Sequence, residues 1–357
     1  MTTWKLVKLN FGRSPVHFGE LGIGMEESKE RVRSDTLFSA WVTAYARLFG
    51  KEAVEKLLQE FQQNTPVRMS STFIYREVDK RTIFYLPRPL KFPINYPKDN
   101  DLAFFKTYKG LNYLPLEIWQ RWYQTEGFST DDSQELIDRT NKKDGTVTAL
   151  KNAGTFDYKT AFSTDKVPKI AVDRVTRATN LYHTGFVQYH WEQNGKDVES
   201  LSGLYFLLQI ERDDKQLITQ LQHALEFLGE QGIGGERTSG AGQFKVQWLE
   251  LPKIWQSVTK FSDTSAHQCL LSMFWDNDQA ILQNLITANS SSYEIQERGG
   301  WLAESNIRRQ MVRMFTEGSV FPKQPHGKLI DVTPSEFKRH KIYRSGISFS
   351  LAIKVQI

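Results

Sequence analysis

GEQGIGGERTSGAGQF, from Gly229 to Phe244, holds six of the 23 glycines of a 357-residue chain. What flanks it decides the fold. Upstream, KQLITQLQHALEFL repeats Leu217, Ile218, Leu221, Ala224, Leu225 and Leu228 at helical spacing. Downstream, QFKVQWLEL alternates Phe244, Val246 and Trp248 as one face of a strand. The order is helix, glycines, strand. A dinucleotide fingerprint or a P-loop needs strand, glycines, helix, because the helix N-terminus must face the phosphates. No Gly-Lys-Ser/Thr occurs in the stretch either. Both nucleotide folds are excluded. Two uses remain. One is a long turn whose glycines take positive φ and allow tight packing. The other is an anion-binding loop, in which exposed N–H groups together with Arg237, Thr238 and Ser239 meet a phosphate backbone. Five glycines from Gly232 to Gly242, set among polar donors, favour the second use.

Working outward, Trp4 to Phe11 reads as a first strand, followed by a loop with Gly12, Gly19, Gly22 and Gly24. In SDTLFSAWVTAYARLFG, Leu37, Phe38, Trp41, Ala44, Tyr45, Leu48 and Phe49 form one helical stripe. Ser34 or Asp35 is the expected cap, and Gly50 the expected end. A short amphipathic helix follows over Glu52 to Phe61. SSTFIYREV and RTIFYLPRPL read as strands joined at Asp79 and Lys80. Prolines between Pro87 and Pro97 argue against regular structure there. Thr140 to Lys166 reads as a surface insertion or a mobile loop. GLYFLLQIE is a buried strand.

After Pro252 a second round begins: HQCLLSMFW as strand, the cap-like DND, QAILQNLIT as helix, then strands up to ISFSLAIKVQI. The fold class is therefore α+β, with split βαβ grammar used twice. That predicts two ferredoxin-like (RRM-like) domains with antiparallel sheets. Residues 1–252 would form the first, with an insertion at about 88–168 and the glycine-rich loop at 229–244. Residues 262–357 would form the second, with the boundary near Lys253 to Thr264.

With 39% hydrophobic and 24% charged residues the composition is globular, and a net charge of +5 favours an anionic partner. Cys269 stands alone, which excludes an internal disulfide or a Cys-based zinc site and suits a reducing cytosol. His183, His190 and His223 show no ligand spacing. Asp131, Asp213 and the DND from Asp276 each precede a helical pattern and read as helix-start residues. Neither metal nor cofactor is expected. No apolar run approaches the ~18 residues of a membrane span, and a cytoplasmic location is expected.

GIGGERTSGAGQF after an amphipathic helix resembles the signature glycine-rich loop of the RAMP superfamily of CRISPR systems. Further pieces resemble, more narrowly, the subunit that caps the crRNA 5′ end in type III-A (Csm) effector complexes. They are VHFGELGIG and SDTLFSAW, VDRVTRATN at Val172 to Asn180, RGGW at Arg298 to Trp301, TEGSVF at Thr316 to Phe321, and YRSGISF at Tyr343 to Phe349. The resemblance spans both halves in order. It implies two ferredoxin-like domains and recognition of the repeat-derived 5′ tag of crRNA. It also implies contacts with a large polymerase-like subunit and a backbone RAMP subunit, and no nuclease activity.

On that basis Gly234, Gly235, Arg237, Thr238, Ser239, Gly240 and Gly242 would track the tag's backbone. Lys169, Arg174 and Arg177 would lie on a hairpin pressing on the RNA, although a charged edge strand explains the same residues. Arg298, Gly299 and Gly300 would repeat the glycine-plus-arginine device in the second half, or form an ordinary turn. NIRRQMVR adds Arg308, Arg309 and Arg313, without choosing between solvent and phosphate. His17 would contact RNA or serve structure; as the general acid or base of a metal-independent endoribonuclease it lacks a second catalytic group.

Overall fold

A computed structural model describes residues 3–20, 24–97, 102–143, 145–194, 197–264, 266–302 and 307–356. Gly22 and Asn306 lie outside the described residues. The chain runs β1 (Thr3–Asn10), α1 (Ser34–Gln63), β2 (Val67–Met69), β3 (Phe73–Val78) and β4 (Arg81–Pro87). Next come α2 (Leu102–Gly110), β5 (Tyr113–Pro115), α3 (Leu116–Tyr123), α4 (Thr130–Thr140) and α5 (Ala149–Asn152). A long hairpin follows, β6 (Phe162–Val172) and β7 (Thr179–Tyr189), then β8 (Trp191–Asn194), β9 (Asp197–Ile210), α6 (Lys215–Gln231) and β10 (Lys245–Glu250). The remainder is α7 (Lys253–Lys260), β11 (His267–Leu270), α8 (Gln279–Ile286), β12 (Ile295–Arg298), β13 (Val312–Phe315), β14 (Val320–Phe321), β15 (Leu329–Asp331), β16 (Tyr343–Ser345) and β17 (Ser350–Ile353).

The main sheet is antiparallel, in the order β10-β1-β9-β3-β4-β5. Read as fold positions, β10, β1, β9 and β3 are strands 4-1-3-2 of a ferredoxin-like unit, with α1 and α6 as its two helices. Those helices cover one face, packing Leu37, Trp41, Leu221 and Leu225 on Val7, Leu9, Leu204 and Phe206. The other face, with Leu6, Phe73, Tyr205 and Leu207, lies under α3, α7 and the second sheet. Both faces are buried, which is why LVKL in β1 and LYFLLQI in β9 are nearly continuous apolar runs rather than alternating ones. Lys8 is the exception in β1: its ammonium lies 4.6 Å from the Tyr75 ring centroid and pairs with Glu77.

The Asp79–Lys80 turn between β3 and β4 has both residues at positive φ (51° and 62°), the geometry of a tight hairpin. The helical run Ser34–Gln63 is broken at Gly50 (φ 82°), so the two helices read from the sequence meet there at a kink. In the second half, β11 lies between β17 and β14, and Ser292 bridges to Val320 of β14. The strand order of the first half thus recurs, with the β15–β16 hairpin where a second helix would stand. Residues 149–161 differ from the expected surface loop. Leu150, Ala153 and Ala161 are buried, because the Glu135 carboxylate accepts the Leu150 and Lys151 N–H groups (2.8 and 2.7 Å) and pins α5 to the core. Among the described residues no helix is long and apolar enough to cross a membrane.

Candidate nucleic-acid interface

α6 ends at Gly232 (φ 81°), whose N–H donates to Leu228 O at 2.8 Å. From there the chain folds onto itself and onto the segment after β1. Ile233 N–H donates to Gly242 O (2.9 Å), Gly242 N–H to Pro15 O (2.8 Å), and Gly235 N–H to His17 O (2.8 Å). A Cβ at Gly235 would come within 2.7 Å of His17 Cδ2, and one at Gly242, where φ is 81°, would overlap Ile233 O. Arg237–Ser239 form a short 3-10 turn between residues at positive φ, Glu236 (59°) and Gly240 (84°). Ser239, Gly240 and Ala241 donate back to Glu236 and Arg237 carbonyls.

This corrects the expectation of a loop of exposed amides. The N–H groups of Gly235, Gly240 and Gly242 are bonded within the protein, and Gly242 is buried. The glycines work chiefly by shape: they let the loop lie against residues 15–18. What the loop presents outward is Gly234, Arg237, Thr238, Ser239 and Gly240, all exposed, with open space where a Gly240 side chain would stand.

The β6–β7 hairpin docks on the same bed. Val187 bridges to Val16, and His17 donates from Nδ1 to Gly185 O at 2.7 Å. Lys169 on β6 pairs with the carboxylate of Glu236 in the glycine loop, and Ser239 Oγ donates to the same group at 3.2 Å. The Lys169 bond is the largest influence holding the Glu236 carboxyl below its ordinary range. Lys169 is therefore a strut between hairpin and loop rather than a free cation. Arg174 and Arg177 sit fully outside, in the turn that Asp173 closes by accepting the Val175 and Thr176 N–H groups. Around them Ile170, Val172, Val175 and Leu181 are exposed, so the hairpin's distal half is an apolar blade with cationic corners.

Arg298 is not a second phosphate hook. It is buried, donating from Nε and Nη2 to the two Asp35 oxygens (2.9 and 3.1 Å), and from Nη1 to Glu20 at 3.3 Å. Arg344 completes the cage of Asp35 and donates to Gly299 O at 2.7 Å. Gly299 thus offers its carbonyl inward, while Gly300 (φ 129°) turns the chain at the surface. Nor is Asp35 a cap; the residue at that position is Arg33, whose side chain makes no capping bond, and the Ser34 hydroxyl accepts Met273 N–H instead.

The same cluster continues through Glu317, which takes Arg31 in bidentate fashion (3.1 and 3.2 Å) and also binds Arg33 and Ser71. Burial alone would raise the Asp35 and Glu317 carboxyls. The guanidiniums outweigh it, holding Asp35 below its ordinary range and Glu317 far below. The network ties Glu20 and residues 31–35 to the second half of the chain. Its only sequence signal is the charge density of KERVRSD, residues 29–35.

Among the described residues no cluster of three His, Cys, Asp or Glu could hold a metal ion. The surface formed by loop, hairpin and segment 12–18 offers guanidiniums and hydroxyls to an extended anion, beside apolar side chains.

Residues 13–245 match the model of the RAMP superfamily, and residues 263–353 that of the CRISPR Csm4 C-terminal domain. A protein of Methanocaldococcus jannaschii named CRISPR system Cms protein Csm4 is 27% identical, over 90% of this chain and 86% of its own length. A protein of the same name from Thermococcus onnurineus is 25% identical, over 90% and 92%. Among solved structures, the fold is shared with a chain of a Csm3-Csm4 subcomplex from a type III-A CRISPR-Cas interference complex. The TM-score is 0.59 at 20% identity, covering 97% of this chain and 98% of that one. A chain of a Csm1-Csm4 cassette in complex with cA4 gives 0.57 at 17% identity, with each chain covered in full.

Proposed function

This chain belongs to the RAMP superfamily, and we propose that it is the subunit of a type III-A effector complex that holds the repeat-derived 5′ tag of crRNA. One observation carries the reading. The superfamily's glycine-rich loop presents exposed Arg237, Thr238, Ser239 and Gly240, and the Lys169–Glu236 pair braces it against a hairpin tipped by Arg174 and Arg177. A single strand needs such a combination of phosphate donors and flat or apolar side chains. Gly240 would give the strand close approach, with Gly234, Gly235 and His17 supporting the loop from beneath. The relatives' names and the Csm3-Csm4 and Csm1-Csm4 assemblies support a place between a backbone RAMP subunit and the large polymerase-like subunit.

Residues 1–252 and 262–357 are the proposed domains, and the cytoplasm the proposed location. The subunit's role is non-catalytic. His17 is engaged through Nδ1 with Gly185 O, and the nearby Glu236 carboxylate is taken up by Lys169 and Ser239 rather than paired with the His17 ring. The experiment is binding of tag-bearing crRNA by the full chain across a salt series. Arg237→Ala should weaken binding and flatten the log K–log salt slope by roughly 0.7, one phosphate contact on a single strand. Unchanged affinity and slope would remove the loop from the interface. Cleavage of repeat RNA that disappears in His17→Ala would establish the endoribonuclease instead.

A further inference from the structure

Arg13 lies in the segment that carries the glycine loop. Its neighbour Ser14 donates to Gly240 O at 3.3 Å, and Pro15 accepts Gly242 N–H at 2.8 Å. The Arg13 guanidinium stands 4.2 Å from the ring centroid of Trp191, at the start of β8. Among the described residues it has no carboxylate partner. Beneath this pair opens a cleft of about 700 Å³, lined also by Phe162, Tyr189, His190 and Glu192 at the root of the β6–β7 hairpin.

We propose that this cleft is a nucleobase slot: it takes one unpaired base of the RNA whose backbone the adjoining glycine loop holds, stacked on the Arg13–Trp191 layers. The inference rests on the proposed function and goes further by assigning a base-binding subsite. Three features favour a base over any other group. Indole and guanidinium are the two planes on which single-stranded bases stack. An exposed cation–π pair is weakly held, so Arg13 can shift to admit a third layer. The charge is nearly balanced: Glu192 shares the cleft with Arg13 and lies 3.5 Å from His190 Nε2, so its carboxylate would repel a phosphate but not a neutral base. Arg13 is exposed and Trp191 half-buried, so the stack is open to solvent.

The test uses the full chain and tag RNAs carrying a single abasic nucleotide, walked along the tag. In the native chain one position should stand out, weakening binding about 5- to 140-fold, the measure of one stacked base. Trp191→Ala should weaken binding of intact RNA by the same factor and lose all sensitivity to that abasic position, while Trp191→Phe should restore it. Arg13→Ala, at an exposed position that leaves the fold untouched, should reproduce part of the loss. The proposal is overturned if no abasic position stands out, or if Trp191→Ala and Arg13→Ala both bind within twofold of native while Arg237→Ala does not. If Arg237→Ala also binds as native, the RNA reading of the glycine loop falls along with it.

Discussion

Replacing Asp35 by Asn should unlock the two halves of the chain. The Asp35 carboxylate is fully buried and accepts three guanidinium N–H groups, two from Arg298 and one from Arg344. Asn keeps the shape, but it removes the charge and must aim an NH₂ group at a guanidinium. Arg298 keeps Glu20 and Thr36; Arg344 is left with Gly299 O alone among the described residues. Breaking one side of a buried pair costs about 3–5 kcal/mol, because the remaining charge stays desolvated. At about 2.1 cal/mol/K per residue, the unfolding entropy of this chain is roughly 0.75 kcal/mol/K, so Tm should fall by about 4–7 °C.

Urea titration followed by tryptophan fluorescence and by circular dichroism measures the loss. Lys51→Ala, in the exposed Lys51–Glu55 pair, is the control and should cost no more than about 0.5 kcal/mol. The pH dependence has a fixed sign. The folded Asp35 carboxyl lies below its ordinary range, so its contribution is complete above the unfolded value near 4 and is lost as pH falls toward the folded value. Native protein should therefore lose stability below about pH 4 more steeply than Asp35→Asn. A loss under ~1 kcal/mol, the scale of a surface pair, would refute the clasp.

Trp41→Ala should cost about 3–5 kcal/mol in the same denaturation assay, since the ring is buried against Phe206 and its Nε1–H donates to Leu221 O at 2.8 Å. A negligible loss would place that ring outside the core. Gly242→Ala should cost more than the ~1–3 kcal/mol of a non-glycine residue at positive φ, because its methyl also meets Ile233 O; tag RNA affinity should fall with the loop's geometry. Glu236→Gln should release Lys169, and the salt slope of RNA binding should steepen by about 0.7 if the freed ammonium reaches a phosphate. An unchanged slope would mean that Lys169 acts only as a brace.

The order helix–glycines–strand and the β3–β4 hairpin with its Asp79–Lys80 turn were legible locally, because periodicity and turn chemistry act over a few residues. The helix starts read at Asp213 and at the DND from Asp276 fall within two residues of the caps Asp214 and Asp278, whereas Asp131 lies inside α4, which Ser129 caps. From the sequence alone, the antiparallel α+β class and its two rounds could be read, and the RAMP resemblance with them. Pairing across the chain could not. Asp35 looks like a cap and Arg298 like a phosphate hook until the fold brings them together across 263 positions and buries both. The loop's glycines read as amide donors, yet His17 and Pro15, more than 200 positions away, occupy the Gly235 and Gly242 amides, and Gly240 donates back to Arg237 O. A buried charge or N–H takes whichever partner the tertiary fold brings within hydrogen-bond reach, since leaving it unpaired costs more than any local preference supplies. Such partners carry no periodic signature, so the division between structural and exposed arginines was settled only in three dimensions.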